Sequence, residues 1–233
     1  MRNGNNNLII LTLYIIGVTY TINRMVESVD DQVKFELDKA SIAEQLKKQN
    51  LEDQIAINFT LKTMYSIEDP KELTLSVENK SSNLAVYVDW DNSAVEEFDG
   101  ASKRIIRKSP DLTRDLAVPQ TPSLIVPGKT LKEVIASESV FQRDKETGVY
   151  VAKNPIANII KLKTGIKIQK KQFDEFITRK REFKFSVDLV LRLAETNVGI
   201  APANTTSPIC IIKCPFTVRK LPWTYALPWN KKR

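Results

Sequence analysis

The sequence predicts a mainly β protein in which one antiparallel β-sandwich follows an N-terminal transmembrane helix and a short helical stalk. Three observations support this. An uncharged apolar run lies near the N-terminus, the hydrophobic periodicity changes from helical to alternating near residue 55, and Pro- and Gly-containing loops separate the alternating segments. A chain of 233 residues can bury one sizeable core. The predicted segments are an anchor at 1–24, a stalk at 25–54, a sandwich at 55–214 and a tail at 215–233.

The anchor is predicted from residues 8–22, "LIILTLYIIGVTYTI". A spanning helix needs about 20 apolar residues, so this run is short unless its flanking Asn and Arg side chains lie in the interface. No small-residue cleavage site follows the run, which favours an uncleaved signal anchor over a cleaved signal peptide. A buried helix is the third interpretation, although Gly17 and the β-branched residues disfavour it.

The orientation of the anchor follows from Arg2, which precedes the run and places the N-terminus on the cytoplasmic side. We therefore expect a single-pass membrane protein whose bulk is extracytoplasmic. That compartment is the periplasm, or the thylakoid lumen if the source is cyanobacterial.

The stalk is predicted from residues 25–54, which are charged and contain neither Gly nor Pro. Ser41 and Glu44 match a capping box, and Ile42 and Leu46 lie on one apolar stripe. No heptad is sustained, so a coiled coil is not predicted.

The sandwich is predicted from several short alternating segments separated by turn signals. Residues 72–92 read as a hairpin whose turn is "NKSSN", and 181–195 place six apolar residues on one face at period two. The other strand candidates are 55–67, 102–108, 129–136 and 157–164. About seven such strands favour an immunoglobulin-like sandwich, although the Cys…Trp…Cys spacing of antibody domains is missing.

Residues 72–136 contain an Asp-Trp-Asp corner, a Gly-containing turn and an Ile-x-Pro-Gly turn. The residues that form these motifs are Asp89, Trp90, Asp91, Gly100, Pro127 and Gly128. In these motifs the stretch resembles small bacterial cell-envelope proteins that contain an immunoglobulin-like β-sandwich domain and whose function is mostly unassigned. The resemblance implies a fold and a compartment and supplies no chemistry. This chain lacks the lipid-anchoring cysteine that is common among those proteins.

Composition limits the chemistry. The absence of His excludes Ser-His and Cys-His hydrolases and His-ligated zinc sites, whereas enzymes built on carboxylates or lysines remain open. The net charge of +7 is uneven along the chain: residues 1–100 hold 9 Lys and Arg against 17 Asp and Glu, and 101–233 hold 26 against 11. Surfaces of opposite sign bear on partners rather than on fold.

Two charged clusters are candidate sites. The acidic corner, residues 89–99, holds five carboxylates that could bind Ca²⁺ or a glycan or act as a carboxylate enzyme, although it does not fit an EF-hand loop. The favoured interpretation is a solvated corner in which Trp90 fills the end of the sandwich. The basic segment, residues 161–184, could bind nucleic acid, but an extracytoplasmic location disfavours this. A solvated helix that packs Phe173 and Phe176 on the sheet is favoured.

Cys210 and Cys214 lie four residues apart. On a strand they would share one face about 13 Å apart, too far for a disulfide. A tight loop ending at Pro215 would instead allow a disulfide between them, and both alternatives stay open. No cofactor or metal site is predicted.

The tail joins aromatic and basic residues in a Pro-rich segment, which predicts an extended attachment arm. Its target is the sandwich itself, a partner protein or the membrane interface. The predicted partner-binding residues are Phe216, Trp223, Tyr225, Trp229, Lys231, Lys232 and Arg233. The expected function is therefore a non-catalytic binding module, an accessory or assembly subunit of a membrane or envelope complex. Neither nucleic acid nor a small-molecule substrate is expected.

Overall fold

The computed structural model describes residues 3–108, 116, 118–195 and 208–226, and it describes residues 3–7, 25–30 and 226 by backbone only. The helices are α1 (Asn3–Asp30), α2 (Lys39–Lys48) and α3 (Lys167–Ile177). The strands are β1 (Gln32–Leu37), β2 (Ile55–Thr60), β3 (Tyr65–Ser66), β4 (Leu73–Asn79), β5 (Leu84–Glu96), β6 (Ser102–Arg107), β7 (Ser123–Ile125), β8 (Thr130–Ser137), β9 (Phe141–Arg143), β10 (Tyr150–Ala152), β11 (Phe183–Glu195) and β12 (Ile209–Lys220). Short 3-10 helices span Glu138–Val140, Ile159–Thr164 and Trp223–Ala226.

The strands form one curled antiparallel sheet, which confirms the mainly β prediction. The strand order is β2-β4-β8-β6-β5-β11-β12-β1-β3, with β7 paired to β5, while β9 and β10 form a separate hairpin. β6 pairs with β5 through its first half and with β8 through its second half. The sheet bends at β6 so that its two ends approach, and Phe59 of β2 meets Phe216 of β12 with ring centroids 5.0 Å apart.

β11 is the central strand of the core. Its period-two pattern predicted a half-buried strand, and Phe183, Phe185, Val187, Leu189, Leu191 and Leu193 are all buried. Phe185 stacks on Phe216 of the neighbouring strand with ring centroids 4.8 Å apart. Burying each such side chain contributes about 1.5–3 kcal/mol relative to exposure.

Residues 72–92 form two strands, as predicted, but not a hairpin. β4 pairs with β2 and β8, whereas β5 pairs with β6, β7 and β11. The connection therefore crosses from one half of the sheet to the other. Asn79, which is fully buried, holds the crossing, since its amide donates to the carbonyls of Leu84 (2.7 Å) and Ile125 (3.0 Å).

The strand predicted at 157–164 is wrong. Asn158 accepts a hydrogen bond from the Lys161 amide, and a 3-10 helix follows it. Ile159 and Leu162 point into the core at a spacing of three residues, which matches the 3-10 repeat.

The segment predicted as a helical stalk, residues 25–54, does not lead away from the domain. β1 pairs along its length with β12 and buries Val33 and Phe35. Asp38 caps the N-terminus of α2, since its carboxylate accepts from the Ser41 amide at 3.0 Å, and the predicted cap at Ser41 therefore lies inside the helix. The alternating pattern in β1 is short and is flanked by charged residues, so the sequence did not predict this strand.

The boundary predicted at residue 214 lies inside β12, so residues 215–220 are not an extended arm. Phe216 and Val218 are fully buried, and the Leu221 amide donates to the Gln32 carbonyl at 3.0 Å. The alternating pattern of Phe216, Val218 and their neighbours continues the strand past Pro215.

α2 covers the part of β12 that β1 does not reach. The Gln45 side chain donates to the Lys213 carbonyl at 2.7 Å and accepts from the Lys213 amide at 2.9 Å. The Gln49 side chain donates to the Ile211 carbonyl at 3.3 Å. These amides replace a neighbouring strand and protect an edge that would otherwise be open.

Candidate functional site

The surface with the clearest functional character is α1. Every residue from Leu8 to Arg24 is exposed, including positions on all sides of the helix. The large apolar side chains among them are Leu8, Ile9, Ile10, Leu11, Leu13, Tyr14, Ile15, Ile16, Val18, Tyr20 and Ile22, each at least 39% exposed. None of these side chains is buried against the sheet. Among the residues that the structure describes, no helix combines the length and the apolar character needed to cross a membrane.

The C-terminal segment lies beside α1. Trp223–Ala226 form a 3-10 helix that lies next to α1. Leu221, just before this helix, is hydrogen-bonded to Gln32, the first residue of β1, so the 3-10 helix lies near the C-terminal end of α1. Trp223 is 43% exposed there. Near the same end of α1, the Arg24 guanidinium sits over the Tyr20 ring, 5.8 Å from its centroid. Aromatic and cationic side chains therefore lie at this end of the apolar run.

The predicted partner-binding residues divide into three groups. Phe216 is fully buried in the core, so it cannot contact a partner and that assignment is corrected. Trp223 is exposed and Tyr225 is half-buried at the surface. The remaining residues, Trp229, Lys231, Lys232 and Arg233, lie outside the described residues.

The acidic corner is not a convergent site. Asp89 is buried and accepts from the Asn92 amide group at 2.9 Å and from Arg192, and Asp91 accepts from the Gln120 backbone amide at 2.9 Å. Within the described residues, no group of three His, Cys, Asp or Glu side chains is placed to hold a metal ion. Instead, the Asp89 carboxylate connects β5 to β11, and the Asp91 carboxylate connects β5 to the loop that contains Gln120.

The electrostatics of Asp89 fit this structural role. Burial by itself raises the pKa of Asp89, but hydrogen bonds from Asn92 and the Arg192 guanidinium outweigh that effect and hold the pKa below its usual value. The carboxylate is therefore charged in the folded protein at neutral pH. Trp90, the next residue, is fully buried, as predicted, and its indole donates to the Ser123 hydroxyl at 2.9 Å.

Two further carboxylates of the corner also have individual partners. Glu96 pairs with Lys213 of β12, which lowers the pKa of Glu96 and raises that of Lys213. Glu97 accepts from the Ser139 hydroxyl at 2.6 Å. The favoured interpretation of a solvated corner filled by Trp90 is therefore right for Trp90, but Asp89 is buried rather than solvated.

Within the basic segment, residues 167–177 form α3, whose packing is as predicted. Phe176 is fully buried against Phe183 with ring centroids 5.3 Å apart, and Phe173 and Ile177 pack against the core. The basic residues of this helix are mostly solvent-exposed, and Lys171 and Arg181 lie near Glu175.

Cys210 and Cys214 are buried free thiols on the inward face of β12, so the disulfide alternative is not formed in this structure. The Cys210 thiol donates to the Gln49 side-chain oxygen. Burial raises the pKa of both thiols, and for Cys214 the nearby Asp188 carboxylate adds to the increase. Both groups are therefore neutral, poorly nucleophilic thiols at neutral pH.

A groove between α2 and β2 was not predicted from the sequence. It has a volume of about 210 Å³, and its lining is mainly apolar. The lining residues are Lys39, Ile42, Ala43, Leu46, Glu52, Ile55, Ala56, Ile57, Asn58 and Lys80. The sequence signal was present, since α2 is amphipathic and β2 alternates. The groove depends, however, on how helix and strand are placed relative to each other.

Comparison with protein-family models, with curated proteins and with solved structures gave no match to this chain.

Proposed function

We propose that the protein is a non-catalytic binding module that α1 anchors in a membrane, with the β domain on the extracytoplasmic side. The observation that carries this proposal is the exposure of α1, whose apolar side chains face outward on every side from Leu8 to Ile22. A contiguous apolar surface of this kind marks a membrane or protein interaction site. A helix that is apolar on all sides is typical of a membrane span or of the core of a large protein, and a bilayer can contact all of its sides.

The length of the apolar run constrains how α1 enters the bilayer. Fifteen residues rise about 22 Å, against a hydrocarbon core of about 30 Å. Local thinning of the bilayer and interfacial side chains make up such a difference at modest cost. Tyr20 and Arg24, paired at the end of the run, are suited to the headgroup region. On this basis the protein is single-pass, with its bulk in the periplasm or an equivalent compartment such as the thylakoid lumen.

The role that fits this placement is an accessory or assembly subunit of a membrane complex. Trp223, exposed beside α1, is the described residue best suited to anchor a partner near the membrane surface. The two halves of the curled sheet, joined at β6, support an immunoglobulin-like sandwich of the kind that the resemblance to cell-envelope proteins implies.

One experiment tests both parts of this proposal. The full chain is expressed, membranes are washed with carbonate, and the detergent extract is used for affinity capture. Replacing Leu11 and Ile15 together by Lys should shift the protein to the soluble fraction, because each Lys costs about 2.5–3.5 kcal/mol at a helix centre. The control, Leu11→Met with Ile15→Leu, should stay in the pellet.

In the same extract, Trp223→Ala should reduce capture of a stoichiometric membrane partner, whereas Ile209→Ala, at an exposed apolar residue on the sheet, should not. A full chain that remains in the soluble fraction would refute the anchor. Equal capture by the Trp223 and Ile209 variants would refute the assignment of Trp223.

A further inference from the structure

We propose that the groove between α2 and β2 binds an extended, acidic peptide segment of a partner protein as an added strand beside β2. This inference goes beyond the proposed function, because the groove is separate from α1 and from the C-terminal segment. It stands whether or not α1 enters a membrane.

The first support is the open edge of β2, the terminal strand of its side of the sheet. The Lys80 amide donates to Gln54 on the β4 side, and the Ile55 amide donates to Leu51 on the opposite side. Since backbone groups alternate in direction along a strand, the N–H and C=O groups of Ile57 and Phe59 also point away from β4. In the described part of the chain, these groups have no hydrogen-bond partner.

The second support is the contrast with the other side of α2. There the Gln45 amide pairs with both backbone groups of Lys213 and closes the edge of β12. On the β2 side the same helix leaves a gap. An edge strand flanked by a helix across an apolar gap is the geometry in which strand addition operates, because main-chain hydrogen bonds supply affinity and the gap accepts alternate side chains.

The third support is the lining of the groove. Ile42 and Leu46 from α2 and Ile55 and Ile57 from β2 are buried and form an apolar floor. Ala43 lies at the rim, where its small side chain keeps the groove open. A volume of about 210 Å³ suits small branched apolar side chains rather than a cluster of aromatic rings.

The charges at the rim of the groove indicate which kind of peptide it binds. Lys39 and Lys80 are exposed at the rim and make no ion pair with any described residue, and Glu52 is the one acidic residue in the lining. An acidic peptide is therefore favoured. The basic C-terminal residues of this chain are disfavoured by the same charges, and a second copy of β2, "IAINFT", offers no acidic side chain.

The test uses the full chain in detergent micelles and the peptide VEVDVE-amide, labelled with fluorescein at its N-terminal amine. The charge control is VKVKVK-amide, labelled at the same position. Fluorescence anisotropy should show binding of the acidic peptide only. Ala43→Trp, which fills the groove, should weaken that binding by about tenfold or more, equal to about 1.4 kcal/mol. Ala40→Trp, exposed on the same helix outside the groove, should leave it unchanged.

Hydrogen exchange supplies a readout that surface adsorption would not give. Binding of the acidic peptide should slow exchange of the Ile57 and Phe59 amides and leave Ala56 and Asn58, already paired to β4, unchanged. The proposal is overturned if the acidic peptide does not bind, if the basic peptide binds equally well, or if both Trp variants bind alike. Protection of Ile57 that rises with protein concentration without peptide would identify a second copy as the occupant, and would overturn it too.

Discussion

At the scale of single residues, buried polar groups of this protein connect strands rather than forming a reactive site. Asp89 joins β5 to β11 through Arg192, and Asn79 fixes the crossing between the two halves of the sheet. A buried polar group is costly when it loses its partner, so such residues are sensitive positions even where they carry no chemistry.

Asp89→Asn should lower the free energy of unfolding by about 1–3 kcal/mol, because the carboxylate accepts charge-assisted hydrogen bonds while buried. Its partner Arg192 is half exposed, which favours the lower end of that range. Urea unfolding at pH 7 measures the change. Asp53→Asn, at an exposed residue, is the control and should have little effect.

The same pair predicts a pH dependence. The pKa of Asp89 is lower in the folded than in the unfolded protein, so its contribution is present at neutral pH and is lost as pH falls through the folded pKa. The stability difference between the original protein and Asp89→Asn should therefore shrink below about pH 4. A difference that stays constant down to pH 3 would show that the charge of Asp89 contributes nothing.

At the scale of elements, periodicity predicted where several of the strands lie but not which strands pair. β11 was predicted because six apolar residues recur at period two, and that pattern depends only on burial of one face. β4 and β5 were predicted as a hairpin, yet their pairing is decided by the crossing that Asn79 stabilises, and alternation carries no information about it. β1 was missed because only Val33 and Phe35 mark its buried face.

The candidate surfaces were likewise predicted where they depend on a local sequence pattern and missed where they depend on how elements are placed. The exposed run of α1 was visible in the sequence, because it is contiguous. Phe216 was assigned to the surface because Pro215 suggested a break, whereas the strand continues through that residue. The groove beside β2 was not predicted, since it arises from the separation between two elements.

Gln45→Ala should destabilise the protein by about 1–3 kcal/mol, because it removes two hydrogen bonds that cover the edge of β12. Thermal unfolding followed by circular dichroism measures the change, and hydrogen exchange at the Lys213 amide should become faster. Lys47→Ala, on the exposed face of the same helix, is the control. Unchanged exchange at Lys213 would mean that Gln45 does not protect this edge.

At the scale of the whole molecule, the acidic first part and the basic second part of the chain are interleaved in one sheet. Ion pairs join them at Glu36 with Arg219, Glu72 with Lys108, Asp89 with Arg192 and Glu96 with Lys213. Part of the charge asymmetry is therefore satisfied inside the molecule. The three pairs other than that of the buried Asp89 lie at the surface and each contribute little. The remaining asymmetry therefore affects the surface field more than the stability.

The placement of β1 in the sheet divides the N-terminal region into a dispensable and an indispensable part. Between residues 8 and 24, α1 leaves its apolar side chains exposed, whereas β1 pairs with β12 and buries Val33 and Phe35. A variant that begins at Asp31 should keep a cooperative thermal transition within a few degrees of the full chain in detergent. A variant that begins at Lys39 should lose about 3–6 kcal/mol from those two side chains alone, a large part of the usual 5–15 kcal/mol.

Circular dichroism and a urea titration of the two variants separate these outcomes. The variant that begins at Lys39 should be largely unfolded or should melt far below the variant that begins at Asp31, because β12 also loses its partner from Phe216 to Lys220. Equal stability of the two variants would show that residues 31–38 do not support the sheet and behave as part of the stalk predicted at 25–54. Unfolding of both would show that α1 itself supports the sheet, in conflict with the exposure of its residues 8–24 on every side.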